Sequence, residues 1–307
     1  MKQKKVRVPL RRKGRIRKTL SGLVRYFLLI GISAVFLYPL LYMISNSLKS
    51  VEDLVNPTVD WLPSHLFWGN FRKALYTLQY EKTMPLTIGY VAIATLLQTL
   101  SCAMAGYAFA RHEFPLKRLW TVMLVASFLI PAQVTLIPKY LMFYRYGLVN
   151  TPFSIWLPSL FGQGVNSTIF VLIFMSFFQS YPKSFDEAAQ LDGAGCFKIF
   201  FRVALPLVTP AIIVSILFSF VWFWNETYTA SLLLGSSMRT LPMKLESFVA
   251  EFTSIYAAST GDFSARLNES MRMSATLLVI APLMILYAVL QRRFVQGIDA
   301  ASGLTGE

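Results

Sequence analysis

Charged residues are scarce in this chain, at 14% against about a quarter in a typical soluble domain, while 55% of the residues are hydrophobic. That imbalance excludes an ordinary soluble globular domain and points to lipid as the solvent. The two cysteines, Cys102 and Cys196, fall in an apolar run and in a polar stretch between runs, so no disulfide framework is expected. The two histidines, His65 and His112, share no metal-ligand spacing with each other or with either cysteine, and no metal site is readable. No glycine is followed directly by lysine, so the chain has no Gly-x-x-x-x-Gly-Lys-Ser/Thr phosphate cradle and is not expected to bind ATP through one. The apolar runs hold no carboxylate pair and no histidine, the convergent groups that a membrane enzyme would need. Internal repeats and a file of buried ionisable residues, the marks of a secondary transporter, are missing as well; Glu226 stands nearly alone.

What the chain does have is long charge-free runs. Measured against the roughly 20 residues a helix needs to cross about 30 Å of hydrocarbon, six spans emerge: 26–44, 84–109, 119–137, 165–178, 207–224 and 275–290. The uncharged stretch from Tyr146 to Pro182 is too long for one span and is broken by Pro152, Pro158, Gly162 and Gly164, so its first half reads as a short outer segment at the interface. The net charge of +14 is concentrated at the start, where ten Lys and Arg from Lys2 to Lys18, with Arg25, precede the first apolar run. Such placement is an orientation signal with affinity for anionic lipid, not a nucleic-acid footprint. The first run lacks a small-x-small cleavage site around Tyr42 to Asn46 and reads as an uncleaved anchor. With both termini in the cytoplasm, about nineteen Lys and Arg face inward and about nine outward. The expected organisation is a basic cytoplasmic tail (1–22), a first transmembrane helix with an external loop (23–83), a transmembrane core (84–293) and a cytoplasmic C-terminal tail (294–307).

Between the fourth and fifth runs lies a small, polar, turn-forming block, residues 184–206, on the side assigned to the cytoplasm. Ser184-Phe185-Asp186-Glu187 fits a capping box, with Ser184 as N-cap, Glu187 at N3 and Asp186 adding negative charge at the positive helix end. Ala188 and Ala189 keep the helix thin enough for a groove. Gly193 can close it in a left-handed conformation, and Phe197, Phe200 and Phe201 give a following short helix one apolar face. Pro206 and Pro210 fit the first turn of the next span or a kink just inside it. Local physics makes this a paired-helix connector without identifying a partner.

The order of residues in that block, Glu187-Ala188-Ala189, then Asp192-Gly193-Ala194, then a run of bulky residues and Leu205-Pro206-x-x-x-Pro210, resembles the EAA loop of ABC importer permeases. The surroundings resemble the carbohydrate branch of that family, the MalG-like permeases: Ala105 to Arg111 with Phe114, Ile130-Pro131, Leu136-Ile137-Pro138, Gly147-Leu148, Asn150-Thr151, Trp224-Asn225-Glu226, Thr240-Leu241-Pro242 and Gln291 to Gly297. The likeness covers roughly residues 20–300. It implies an all-α integral membrane protein of the type I ABC importer permease fold with six transmembrane helices. It also implies a non-catalytic subunit that binds no cofactor itself, with ATP and Mg on partner ATPase subunits. The implied partners are a homologous second permease, two ATPase subunits, an extracytoplasmic solute-binding protein and membrane lipid, in a prokaryotic cytoplasmic membrane. Glu187, Ala188, Ala189, Asp192, Gly193, Ala194 and Pro206 would couple to the ATPase. An oligosaccharide is the expected solute, with a non-sugar such as glycerol phosphate as the alternative.

Other residues carry narrower expectations. Cys102, Gly106 and Ala110 form a small-xxx-small stripe for close helix packing. Gln133, Asn225 and Glu226 are polar groups at membrane depth and are candidates to line the transport path, although for Glu226 a structural ion pair is the favoured reading. Lys139 is expected to snorkel from the end of the third span. Trp222, Phe223, Trp224 and Tyr228 suit either an interfacial belt or sugar stacking. The polar stretch from about Gly235 to Met273 resembles a loop that reaches into a docked binding protein. The C-terminal segment 299–307 departs from the family's usual ending.

Overall fold

The computed structural model describes residues 11–256 and 267–303, with side chains given for 22–256 and 267–292. Every regular element in it is helical. The elements are α1 (Arg11–Ser47), α2 (Val51–Val55), α3 (Gly69–Thr77), α4 (Tyr80–Arg111), α5 (Lys117–Leu129), α6 (Ala132–Arg145), α7 (Phe153–Leu160), α8 (Ser167–Ser180), α9 (Ser184–Leu191), α10 (Cys196–Ile199), α11 (Leu205–Leu207), α12 (Thr209–Asn225), α13 (Tyr228–Leu234), α14 (Leu241–Glu246), α15 (Phe248–Tyr256) and α16 (Glu269–Gly303), with a π-helical turn at Phe200–Ala204. Residues 257–266, in the stretch expected to probe a binding protein, and 304–307, in the C-terminal tail, lie outside the described residues, as do residues 1–10 of the basic tail.

Of the six expected spans, three are single helices of span length, two are bent helix pairs and one is a helix shorter than a span. Among the described residues, Gly22–Ser47, Tyr80–Arg111 and Glu269–Arg292 are single helices long and apolar enough to cross a membrane, and Ser167–Ser180 is a shorter apolar helix. The third span departs from expectation, because it does not run unbroken to Ile137. Lys117–Leu129 and Ala132–Arg145 meet at a 97° bend. The cause is local: Pro131 disfavours helical backbone at Ile130, which takes φ −78° and ψ 118°, and supplies no N–H of its own. The fifth bends as well, by 83° between Cys196–Leu207 and Thr209–Asn225, with Pro206 and Pro210 each in the first turn of its helix as their fixed φ favours.

The chain divides into two compact units. In the smaller, comprising described residues 11–74 and 267–277, Ser50 and Asp53 form a reciprocal capping box on α2, and the Asn70 amide donates to the carbonyls of Ser47 and Lys49. The Lys49 ammonium, itself buried, donates to the carbonyls of Val59 and Asp60. The larger unit, residues 75–256 and 278–303, is built around α4. Gly106 brings α4 against α8 so closely that an added Cβ would lie 2.6 Å from the Phe174 Cβ and 2.9 Å from the Met175 backbone nitrogen. Cys102 and Gly106 are therefore packing residues within this chain, as the small-residue stripe predicts.

One to two turns before Gly106, α4 makes polar contacts. The Gln98 amide donates to the Ser219 hydroxyl and the Val165 carbonyl, both at 3.0 Å, and Thr99 pairs with Ser215 at 3.3 Å, joining α4 to α12. Ser101 donates to the Ser159 carbonyl at 2.7 Å and the Trp156 indole to the Tyr90 carbonyl at 3.1 Å, so α7 is packed into the unit, with Ser154, Ile155 and Ser159 buried. Side-chain hydrogen bonds of this kind hold helices together where no water is available to drive apolar association.

Candidate functional site

The block at 184–206 folds as a pair of short helices, and its first turn differs from the expected capping box. Lys183 occupies the N-cap position, Ser184 is already helical, and no side chain caps the helix. Asp186, assigned by sequence to the helix dipole, is instead buried. Its carboxylate accepts hydrogen bonds from the Tyr181 hydroxyl at 2.8 and 3.1 Å and lies 3.4 Å from the Arg111 Nε. That last contact is of ion-pair length without hydrogen-bond geometry, and the Nε–H has no acceptor. Arg111 spends its other donors elsewhere: Nη2 donates to the Tyr181 carbonyl at 2.6 Å, and the guanidinium stacks 3.7 Å above the Tyr181 ring. Burial first, and then the bond to Asp186, push the Tyr181 phenol above its ordinary range, so it remains a protonated donor.

With Asp186 turned inward, the opposite side of α9 is presented outward. Ser184, Glu187, Ala188 and Leu191 are all exposed, at the spacing that shares one helical face, and Leu191 is 90% exposed. A Schellman closure ends the helix: the Gly193 N–H donates to the Gln190 carbonyl at 2.9 Å, the Ala194 N–H to the Ala189 carbonyl at 3.0 Å, and Gly193 sits at φ +73°. A Cβ on Gly193 would meet nothing within 4 Å, so the demand there is purely one of backbone conformation. Gly193→Val is accordingly expected to cost about 1–2 kcal/mol in loop closure while Gly193→Asn recovers most of it, because asparagine tolerates the left-handed region. Proteolysis within 184–206 of the two variants, compared in one membrane mimetic, checks this; equal cleavage rates would contradict it.

The second half of the block also corrects expectation. Phe197, Phe200 and Phe201 do not form one buried apolar face: at the start of the π-helical turn Phe200 alone is buried, with the Phe201 ring edge-on to it at 4.9 Å. Phe200 is buried against Tyr107, with ring centroids 5.3 Å apart, and against Phe178 at 6.3 Å, while Phe201 is exposed and Phe197 is 67% exposed. Beside them the Cys196 Sγ lies 3.4 Å from the His112 Nε2, a pairing that a separation of 84 positions hid from sequence reading. Pro206 is exposed in α11. The outcome is a surface of Glu187, Ala188, Leu191, Phe197 and Phe201, fixed from beneath by Asp186 and Phe200. The exposed charges Lys183, Asp192, Lys198 and Arg202 belong to the same block.

The path candidates are held by their own surroundings. Gln133 is exposed in the first turn of α6, just past the Pro131 bend. Asn225 donates to the Val221 carbonyl one turn earlier at 3.0 Å. Glu226 accepts from the Thr229 N–H at 2.8 Å in the first turn of α13, and none of the ion pairs among the described residues includes it, so its structural contact is to backbone and not the expected ion pair. Phe223 and Trp224 are buried and Trp222 packs on Phe170 at 5.1 Å, so of the aromatic group only Tyr228 is left exposed. Lys139 lies 5.8 Å over the Phe143 ring. Sequence reading missed a pocket of about 360 Å³ at α13 and α14, lined by Ser231, Arg239, Met243, Glu246 and Ser247 among others. Near it, Glu251 accepts from Arg239 at 2.8 Å and from Lys244 at 2.7 Å.

Comparison with known proteins supplies the context. The family model described as binding-protein-dependent transport system inner membrane component matches residues 99–300. The maltodextrin transport system permease protein MalD of Streptococcus pneumoniae is 29% identical over 290 residues, covering 93% of this chain and 96% of MalD. The osmoprotective compounds uptake permease protein GgtD of Synechocystis sp. is 28% identical over 280 residues, covering 89% of each chain. The diacetylchitobiose uptake system permease protein NgcG of Streptomyces coelicolor is 28% identical over 272 residues, covering 88% of this chain and 85% of NgcG. A solved chain from a bacterial ABC transporter involved in the import of the acidic polysaccharide alginate shares the fold. Its TM-score is 0.73 at 23% identity, covering 94% of this chain and 100% of that one.

Proposed function

Because the chain belongs to the binding-protein-dependent transport system inner membrane components, we propose that it is the permease subunit of an ATP-driven carbohydrate importer, forming half of the pore and receiving its power stroke at the 184–206 block. The observation that carries this reading is the block itself: an outward face of Glu187, Ala188, Leu191, Phe197 and Phe201 whose underside is anchored to α4 and α8. An exposed apolar patch with a fixed base suits insertion into a groove of another protein. Ala188 and Ala189 let the helix enter, and Glu187, Asp192, Gly193, Ala194 and Pro206 set its charge and shape. The chain contains no phosphate cradle, so nucleotide and Mg belong to two separate ATPase subunits, and this subunit's part is mechanical. A homologous permease completes the pore.

The solute reading follows the relatives, two of which are named for maltodextrin and diacetylchitobiose; an oligosaccharide is the solute proposed here. A binding protein delivers it from outside, where the exposed Arg239 and Glu246 at the pocket offer charged groups. The excess of Lys and Arg in the N-terminal tail supports a reading in which the chain sits in a prokaryotic inner membrane with both termini and the 184–206 block facing the cytoplasm. The test is reconstitution in liposomes with the sister permease, ATPase and binding protein, scored by uptake of labelled maltodextrin with ATP inside. Uptake is expected only with all components present. Uptake by this chain without an ATPase, or labelling of Phe197→Cys from the external side, would overturn the proposal.

A further inference from the structure

The buried cluster of Arg111, Tyr181 and Asp186 is used by nothing in the docking face, yet it joins three separate elements of the larger unit. Arg111 is the last residue of α4, Tyr181 ends α8 and Asp186 lies in the first turn of α9. The Arg111 and Asp186 side chains are 5% and 11% exposed, so the pair is shielded from the screening that weakens surface ion pairs. The three are linked pairwise: guanidinium to Tyr181 carbonyl and ring, Tyr181 hydroxyl to both carboxylate oxygens, carboxylate beside guanidinium. Neutralising Arg111 or Asp186 leaves the opposite charge buried without its counter-ion, which weakens the cluster as a unit.

Its position has a mechanical consequence. Along the chain, α9 reaches the next span through Gly193, a five-residue π-helical turn and the 83° bend before Thr209, a route with several places to flex. Through the cluster, α9 is tied directly to α4, and α4 is cross-bonded to α12 and α7 by Gln98, Thr99 and Ser101. We infer that Asp186, held by Arg111 and Tyr181, is the positioning residue through which displacement of α9 is delivered to α4. This is a joint distinct from the outward docking face, and it rests on the proposed transport function for its second readout.

Two measurements test it on the full chain with its sister permease in nanodiscs. The first needs no ATPase: in Asp186→Asn and Arg111→Gln, amide exchange of residues 184–194 is expected to rise about tenfold over the wild type, with 167–178 and 211–224 unchanged. The double variant is expected to be no worse than either single, since both remove the same joint. Unchanged exchange at 184–194, or effects of the two singles that multiply, would overturn the inference. The second adds ATPase and binding protein: solute carried per ATP is expected to fall about threefold in assembled complexes, a ratio that mere loss of folded protein would not move. A wild-type ratio in both variants overturns the delivery role. If the wild-type complex shows no ATP-driven uptake, the transport proposal fails on its own, and the exchange result still decides the joint.

Discussion

Replacing Gly106 by alanine is expected to cost about 2–3 kcal/mol, seen as a large fall in the thermal midpoint of the detergent-solubilised protein. The added methyl would lie 2.6 Å from the Phe174 Cβ, 2.9 Å from the Met175 nitrogen and 3.0 Å from the Val171 oxygen. Two of those three atoms are backbone and the third is a Cβ, so no side chain can swing aside and α4 must separate from α8. That contact adjoins a cluster containing Cys102, Tyr107, Phe174 and Phe178, whose packing would loosen with it. Gly89 on the same helix is the control, because a Cβ there meets nothing within 4 Å. Gly89→Ala is expected to be neutral or mildly stabilising, since glycine in a helix interior is the less favourable residue by roughly 0.5–1 kcal/mol. Equal shifts at the two positions would show that contact with α8 is not what selects glycine at 106.

Loss of transport without loss of stability is expected when the outward face of the 184–206 block is made charged. Leu191→Glu and Glu187→Lys alter side chains that are exposed and make no buried contact, so their effect on the folded chain should stay within about 0.5 kcal/mol. At a docked interface the same changes place an unpaired charge in a desolvated pocket or reverse a complementary one, which costs about 2–4 kcal/mol at a central position. Uptake by the reconstituted complex should therefore fall at least about thirtyfold, with co-purification of the ATPase weakened in parallel. Phe197→Glu tests the second half of the block in the same way. Full uptake by Leu191→Glu together with retained ATPase binding would remove the outward face from the coupling mechanism.

The difference between these two predictions tracks what the linear order of residues can and cannot encode. Spans, the short segment at 153–160 and the left-handed Gly193 are local matters: run length against bilayer thickness, proline and glycine against backbone conformation. Each could be read from a window of 20 or so residues; three spans, a short helix at 153–160 and a left-handed Gly193 are present in the structure. Pro131 was read only as a motif, yet its local effect on Ile130 breaks the third span, a consequence that counting charge-free residues overlooks.

Asp186 and Phe200 mark the boundary. In the sequence, Asp186 is one acid among several in a helix's first turn and Phe200 one phenylalanine of three. Helix-dipole and amphipathicity arguments assign them surface roles that the fold does not give them. Arg111 looks like one more positive charge after a span, and His112 and Cys196 look unrelated. What moves Asp186 inward is Arg111, 75 positions earlier, and what buries Phe200 is Tyr107 on the same distant helix end. Composition, run length and residue order were sufficient to specify a helical membrane subunit with a paired-helix loop at 184–206, because burial in lipid and backbone preference act residue by residue. Which residues of that loop face outward and which lock it to α4 was decided only by tertiary structure, because a buried charge is placed by whichever partner the fold brings within reach.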